Sequence, residues 1–92
     1  MIRLNCFFQA KEGQYDRALQ AAIALVAKTQ SHAGMISYDV FESATRPDVF
    51  TFIETWADQA ALDAHSATPE FKENVGIILE CGEMKIEQMV KE

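Results

Sequence analysis

The side chains best suited to chemistry gather between Val49 and Phe71, where an aromatic strand runs into a helix. His65 is the group in this stretch whose ordinary pKa allows proton transfer near neutral pH. It either accepts a proton from a ligand hydroxyl or, more plainly, caps a helix end or bonds a backbone carbonyl. Trp56 can stack on an aromatic ligand and donate its indole N–H to an oxygen, although packing beside the helix start is its more ordinary use. Asn5 is polar in an otherwise apolar strand, so its amide either orients a ligand oxygen or dioxygen, or sits at a subunit rim bonded to water. Tyr38 reaches a cavity or a subunit interface, with the interface favoured. Phe52 is a further candidate ligand contact because it shares a strand face with Trp56. Glu54 lies on that face too and is expected to pair with Arg3 of a neighbouring strand. His32 reads as a surface residue at a helix end.

The elements that must position these groups follow from periodicity. Alternation puts Ile2, Leu4, Cys6 and Phe8 on one face of a strand over 2–9, with Arg3, Asn5, Phe7 and Gln9 on the other. Apolar residues at helical spacing from Tyr15 to Ala27 predict a helix from Gln14 to about Ala33, with Gly34 as its left-handed terminator. Met35 to Ser43 reads as a second strand, with Ile36, Tyr38 and Val40 on one face. A turn at Arg46-Pro47-Asp48 leads into a third strand from Val49 to about Thr55, antiparallel to the second.

Asp58 is placed to cap a helix running to Ser66. Thr68-Pro69-Glu70 opens another, which runs to Cys81: a capping residue, a proline with the right φ, and an acid near the positive end. A last strand covers 83–90. The order β-α-β-β-α-β is that of a ferredoxin-like α+β sandwich, with the helices on one face of a four-stranded antiparallel sheet. The other face is left with Phe, Met and Tyr side chains, and an apolar sheet face of that kind marks a partner surface.

Ninety-two residues are expected to form one domain over 1–92, and 49% hydrophobic residues supply its core. A formal charge of −6 would repel nucleic acid and anionic membrane, so neither is expected as a partner. Cys6 and Cys81 lie in apolar periodic stretches without metal-ligand spacing, which points to buried reduced thiols and no metal. No apolar run nears the roughly 20 residues that span a bilayer. The N-terminus has no signal-peptide pattern, and the cytoplasm is the expected location.

The run Phe52-Ile53-Glu54-Thr55-Trp56, followed by Ala61-Leu62-Asp63-Ala64-His65 and Thr68-Pro69, resembles the antibiotic biosynthesis monooxygenase domain, especially its small quinol-monooxygenase-like members. Gly13, Gly34 and Ser37-Tyr38 agree, and the resemblance covers essentially the whole chain. It implies a homodimeric α/β barrel formed by two sheets packed face to face, with a pocket in each subunit between helices and sheet. It also implies oxidation of a small quinol or hydroxylated aromatic compound by O₂ with no metal, flavin or haem. His65 would then be the catalytic base, and Asn5, Trp56, Tyr38 and Phe52 would contact the substrate.

The chain departs from that pattern at Glu70, where many quinol-monooxygenase-like members have histidine. Around Val75 it lacks the proximal histidine of haem-degrading relatives, so haem cleavage is not expected. A subgroup acting on phosphorylated sugars would call for basic pocket residues, for which Arg3, Arg46 and Lys72 are the candidates. The competing functional reading is a dimeric module of the same fold that binds a small ligand, or serves a stress response, without turning anything over.

Overall fold

The computed structural model describes residues 1–90. Four strands, β1 (Ile2–Ala10), β2 (Met35–Glu42), β3 (Val49–Trp56) and β4 (Gly82–Val90), form one antiparallel sheet in the order β2-β3-β1-β4. Three helices, α1 (Tyr15–Thr29), α2 (Gln59–Ser66) and α3 (Pro69–Cys81), complete the described residues' regular structure. This is the ferredoxin-like α+β arrangement, with the second helical segment broken in two at Ala67 and Thr68.

Register explains the two faces of the sheet. Cys6 pairs with Phe52 and Ile86, Leu4 with Glu54 and Gln88, and Tyr38 with Glu54, so these side chains share the face that the helices cover. The core forms there: Phe8 stacks on Phe50 with ring centroids 4.7 Å apart, and Ala18, Ala22 and Leu25 of α1 and Ile78 of α3 are fully buried against it. On the opposite face Phe7 pairs with Thr51, and Thr51 with Phe41, which sets two phenylalanines in one transverse row. Phe7 is 41% exposed and Phe41 48%, an uncovered apolar patch on the open face. No tyrosine contributes to it, because Tyr38 is buried on the helix side.

Two expectations about elements are corrected. Helix α1 ends at Thr29, four residues before Ala33. Side chains there take over the last carbonyls: Thr29 Oγ1 donates to Leu25 O at 2.7 Å, and Gln30 Nε2 donates to Val26 O at 3.0 Å and to Tyr38 O at 3.1 Å. The strand β2 carries an irregularity between Met35 and Ser37. Met35 faces Trp56 and packs on the core, while Ile36 is left 56% exposed rather than sharing the face of Tyr38.

The turn between α1 and β2 is held close to α2. Gly34 has φ +78°, and a Cβ at that position would run into the methyl of Ala61. Ala57 N–H donates to Gly34 O at 2.8 Å. Asp58 caps α2 by accepting from Ala61 N at 2.8 Å, and Thr68 caps α3 by accepting from Phe71 N at 3.3 Å, both as the sequence predicts.

Candidate functional site

Because α2 is short and set off from α3, a gap remains between the two helices and the sheet. It forms a cavity of about 300 Å³, floored by Leu4, Cys6, Tyr38, Phe52, Glu54, Ile86 and Gln88, with Leu62 and His65 of α2 and Phe71 and Val75 of α3 among its walls. Such a volume is at the small end of ligand pockets. Among the described residues the lining includes Glu54 and Asp63 but no lysine or arginine. Arg3, Arg46 and Lys72 all lie outside it.

His65 sits in the last turn of α2 and is only 2% exposed. Its ring centroid is 4.5 Å from that of Trp56, 5.0 Å from Phe71 and 5.2 Å from Tyr38. Thr68 Oγ1 donates to the His65 carbonyl at 2.7 Å and ties down the backbone. His65 Nδ1 lies 2.8 Å from His32 Nδ1, and His32 Nε2 lies 3.0 Å from Glu70 Oε2. His65 Nε2, by contrast, is buried and has no hydrogen-bond partner; among the described residues no other buried side-chain nitrogen or oxygen is in that state. A buried polar atom left unpaired beside a cavity is a place for a ligand group. Burial, and then the neighbouring His32 ring, push the His65 pKa down to about 4, with Glu70 acting in the opposite direction. The ring is therefore a neutral acceptor at ordinary pH.

Glu54 is buried on the cavity floor, where its Oε1 accepts from Trp56 Nε1 at 2.8 Å and its Oε2 from Cys6 Sγ at 3.6 Å. Burial raises its pKa, while the bonds from Trp56 and Cys6 act to lower it. It does not pair with Arg3, which the strand alternation turns to the open face opposite Thr55. Burial, followed by the charge of Glu54, raises the pKa of the Tyr38 phenol strongly, so Tyr38 stays a protonated donor at the cavity wall.

The sequence-predicted residues thus divide. His65, Tyr38 and Phe52 meet in the cavity, and Tyr38 is there rather than at the open sheet face. Trp56 is fully buried behind His65, and its indole N–H is taken by Glu54, so it backs the site rather than lining it. Asn5 lies on the other face of the sheet, opposite Ile53 and Glu87, because the apolar set Ile2, Leu4, Cys6 and Phe8 claims the helix side. His32 is not a surface residue: its side chain is 11% exposed and bridges His65 to Glu70. Sequence reasoning missed this contact, since His32 and Glu70 lie 33 and five residues from His65 and nothing local relates the three. A wider hollow of about 460 Å³ lies elsewhere, lined by Phe7, Arg46, Glu83 and Lys85 among others. Among the described residues it holds no unpartnered buried side-chain acceptor, which sets the His65 cavity apart from it. Among the described residues no cluster of three or more His, Cys, Asp or Glu is placed to hold a metal ion.

Residues 1–75 match the family described as antibiotic biosynthesis monooxygenase. A Bacillus subtilis (strain 168) protein named "Putative monooxygenase YcnE" is 31% identical over 72 residues, which cover 78% of this chain and 76% of that protein. A crystal structure from Bacteroides thetaiotaomicron VPI-5482, of a conserved protein of unknown function described as a "possible oxidoreductase", is 45% identical with a TM-score of 0.92. The match covers 96% of this chain and 94% of that one. A crystal structure described as antibiotic biosynthesis monooxygenase is 31% identical, with a TM-score of 0.91 and coverage of 100% and 99%.

Proposed function

The chain belongs to the antibiotic biosynthesis monooxygenase family, and from that premise we propose that it oxidises a small quinol or other hydroxylated aromatic compound with O₂, using no metal, flavin or haem. One observation carries this reading: buried His65, whose Nε2 has no partner, lines a small, aromatic cavity that has no lysine or arginine among the described residues. An uncharged arene with an acidic hydroxyl suits that cavity. A phosphorylated ligand does not, for want of a lysine or arginine in the lining among the described residues.

His65 Nε2 takes the hydroxyl proton and leaves an electron-rich phenolate. The phenolate gives one electron to O₂, the radical pair joins as a carbon-bound peroxide that takes back the proton held by His65, and loss of water leaves a new carbonyl oxygen. The substrate supplies all four electrons needed to reduce O₂, so no external reductant is consumed. Tyr38 is placed to donate to an oxygen of the bound compound, and Phe52 with Phe71 supplies apolar wall that keeps bulk water from the intermediate.

The working unit in this reading is a homodimer in the cytoplasm. Support for the dimer is the open sheet face with Phe7 and Phe41, which the chain's helices leave uncovered. Among the described residues no helix is long and apolar enough to cross a membrane.

Oxygen uptake under metal-free conditions, across a panel of quinols and anthrone-like phenols, tests the activity. Uptake with stoichiometric formation of the oxidised product is expected, and it should depend on His65. Saturable binding of these compounds without oxygen uptake would overturn the enzyme reading and assign the chain to the ligand-binding modules of the same fold.

A further inference from the structure

We propose that His32 and Glu70 are positioning residues that hold His65 in the tautomer whose Nε2 is bare, and that they take up the positive charge when that atom accepts a proton. The inference rests on the proposed role of His65 as base and adds what makes that base available.

The three groups come from separate segments: His32 from the turn before β2, His65 from the end of α2 and Glu70 from the first turn of α3. Their hydrogen bonds allow one consistent assignment for two neutral rings. A carboxylate can only accept, so His32 Nε2, 3.0 Å from Glu70 Oε2, carries the hydrogen. A neutral imidazole has one N–H, which leaves His32 Nδ1 as an acceptor. His65 Nδ1, 2.8 Å away, must then be the donor. His65 Nε2 is left with a lone pair, and this is the atom that has no partner in the protein. The tautomer is assigned from the bond chain, as hydrogen positions must be.

The chain also moves charge. When a ligand hydroxyl gives its proton to His65 Nε2, the proton on His65 Nδ1 can pass across to His32 Nδ1. One proton enters at Nε2, one crosses, and none is lost. His65 is again neutral but now carries its hydrogen on Nε2, as a donor facing the new oxyanion. The cation rests on His32 beside the Glu70 carboxylate, outside the cavity. The hydrogen bond from His32 already lowers the Glu70 pKa, which keeps that carboxylate charged. Other titratable groups close to this network are Tyr38 on β2, Glu54 on β3, Cys6 on β1, Asp63 on α2 and Lys28 on α1, the last acting on Glu70.

Imidazole ¹⁵N NMR on the full-length chain reads the tautomers directly and needs no substrate. In the wild type, His65 should be protonated at Nδ1 and His32 at Nε2. Glu70→Gln, whose amide can donate as well as accept, should relax the His65 tautomer toward a mixture and lower its pKa. His32→Gln should shift His65 toward the Nε2–H form and lower kcat by roughly 10²-fold, the lower end of what general acid–base catalysis supplies. A wild-type His65 protonated at Nε2 overturns the proposal even if no variant folds, as does a His65 pKa unmoved by Glu70→Gln. Should the tautomers be as stated while His65→Gln retains full turnover, the positioning role stands and the assignment of His65 as base falls.

Discussion

His32 Nδ1 and His65 Nδ1 face each other at 2.8 Å, two nitrogens of the same kind, so one must donate and the other accept. The pair therefore has a direction, and the Glu70 carboxylate beyond His32 chooses it. A buried imidazole without such a neighbour could present either nitrogen state to the cavity. With it, Nε2 is the nitrogen left with a lone pair and without a partner.

His65→Ala is expected to remove turnover by roughly 10²–10⁴-fold. The same change should also lower stability, because His65 is packed among Trp56, Tyr38, Phe71 and His32 and not half-exposed on a helix. A loss of about 2–3 kcal/mol is expected from the space left behind and the unpaired His32 nitrogen. Urea unfolding beside oxygen uptake measures both; a variant as stable as wild type would contradict the packing described.

Acid should destabilise the protein through His65. Its pKa falls from an ordinary 6.5 to about 4 on folding. The unfolded chain therefore binds the proton more readily, and stability rises with pH between those values. The contribution is complete above pH 6.5 and is lost as pH falls toward 4, amounting to about 3 kcal/mol. Glu70 adds loss of the same sign at lower pH, since its pKa is also depressed. Urea midpoints measured through this window should slope accordingly, and His65→Phe should flatten the upper part. An unchanged slope in that variant would assign the acid sensitivity elsewhere.

Gly34→Ala should damage the site from a distance. The position has φ +78°, a left-handed conformation that costs an L-residue about 1–2 kcal/mol. The added methyl also meets that of Ala61 in the first turn of α2. The combined variant Gly34→Ala with Ala61→Gly should recover the steric part but not the conformational part. Strict additivity of the two single changes in a double-mutant cycle would rule out the contact.

Phe41→Asp, at an exposed position beside Thr51 on the open sheet face, should turn the proposed dimer into monomer while leaving the helix-side core folded. Sedimentation velocity with far-UV circular dichroism reads the two effects separately. A wild-type protein that sediments as a monomer at micromolar concentration would remove the dimer from the proposed function.

The two thiols should label slowly in the native protein and quickly once unfolded. Cys6 and Cys81 are free and buried. Burial, and then the charge of Glu54, push the Cys6 pKa strongly upward, so little thiolate is present to react. Rapid labelling of Cys6 by a maleimide under native conditions would mean that the cavity floor opens readily.

Much of the frame was legible from local pattern. Two-residue alternation located the strands and sorted the residues of β1 and β3 onto two faces; helical spacing, Asp58 and Thr68 located α2 and α3. That same alternation already set Asn5 opposite to Cys6, and so away from a cavity on the helix side. It also put Glu54 on the face of Trp56 and Arg3 on the face of Asn5, which excluded their pairing once the strands lay side by side. These features depend on residues a few positions apart, where chain geometry alone decides which side chains share a face. The irregularity after Met35 was not legible, because it depends on pairing with β3 rather than on the composition of β2. Nor was the meeting of His32, His65 and Glu70. It exists because α1 stops at Thr29, the Gly34 turn packs onto Ala61, and Thr68 breaks the path between α2 and α3. Hydrogen bonds across such separations are selected by the packing of whole elements, and only the assembled tertiary structure decides which nitrogen of His65 is left without a partner.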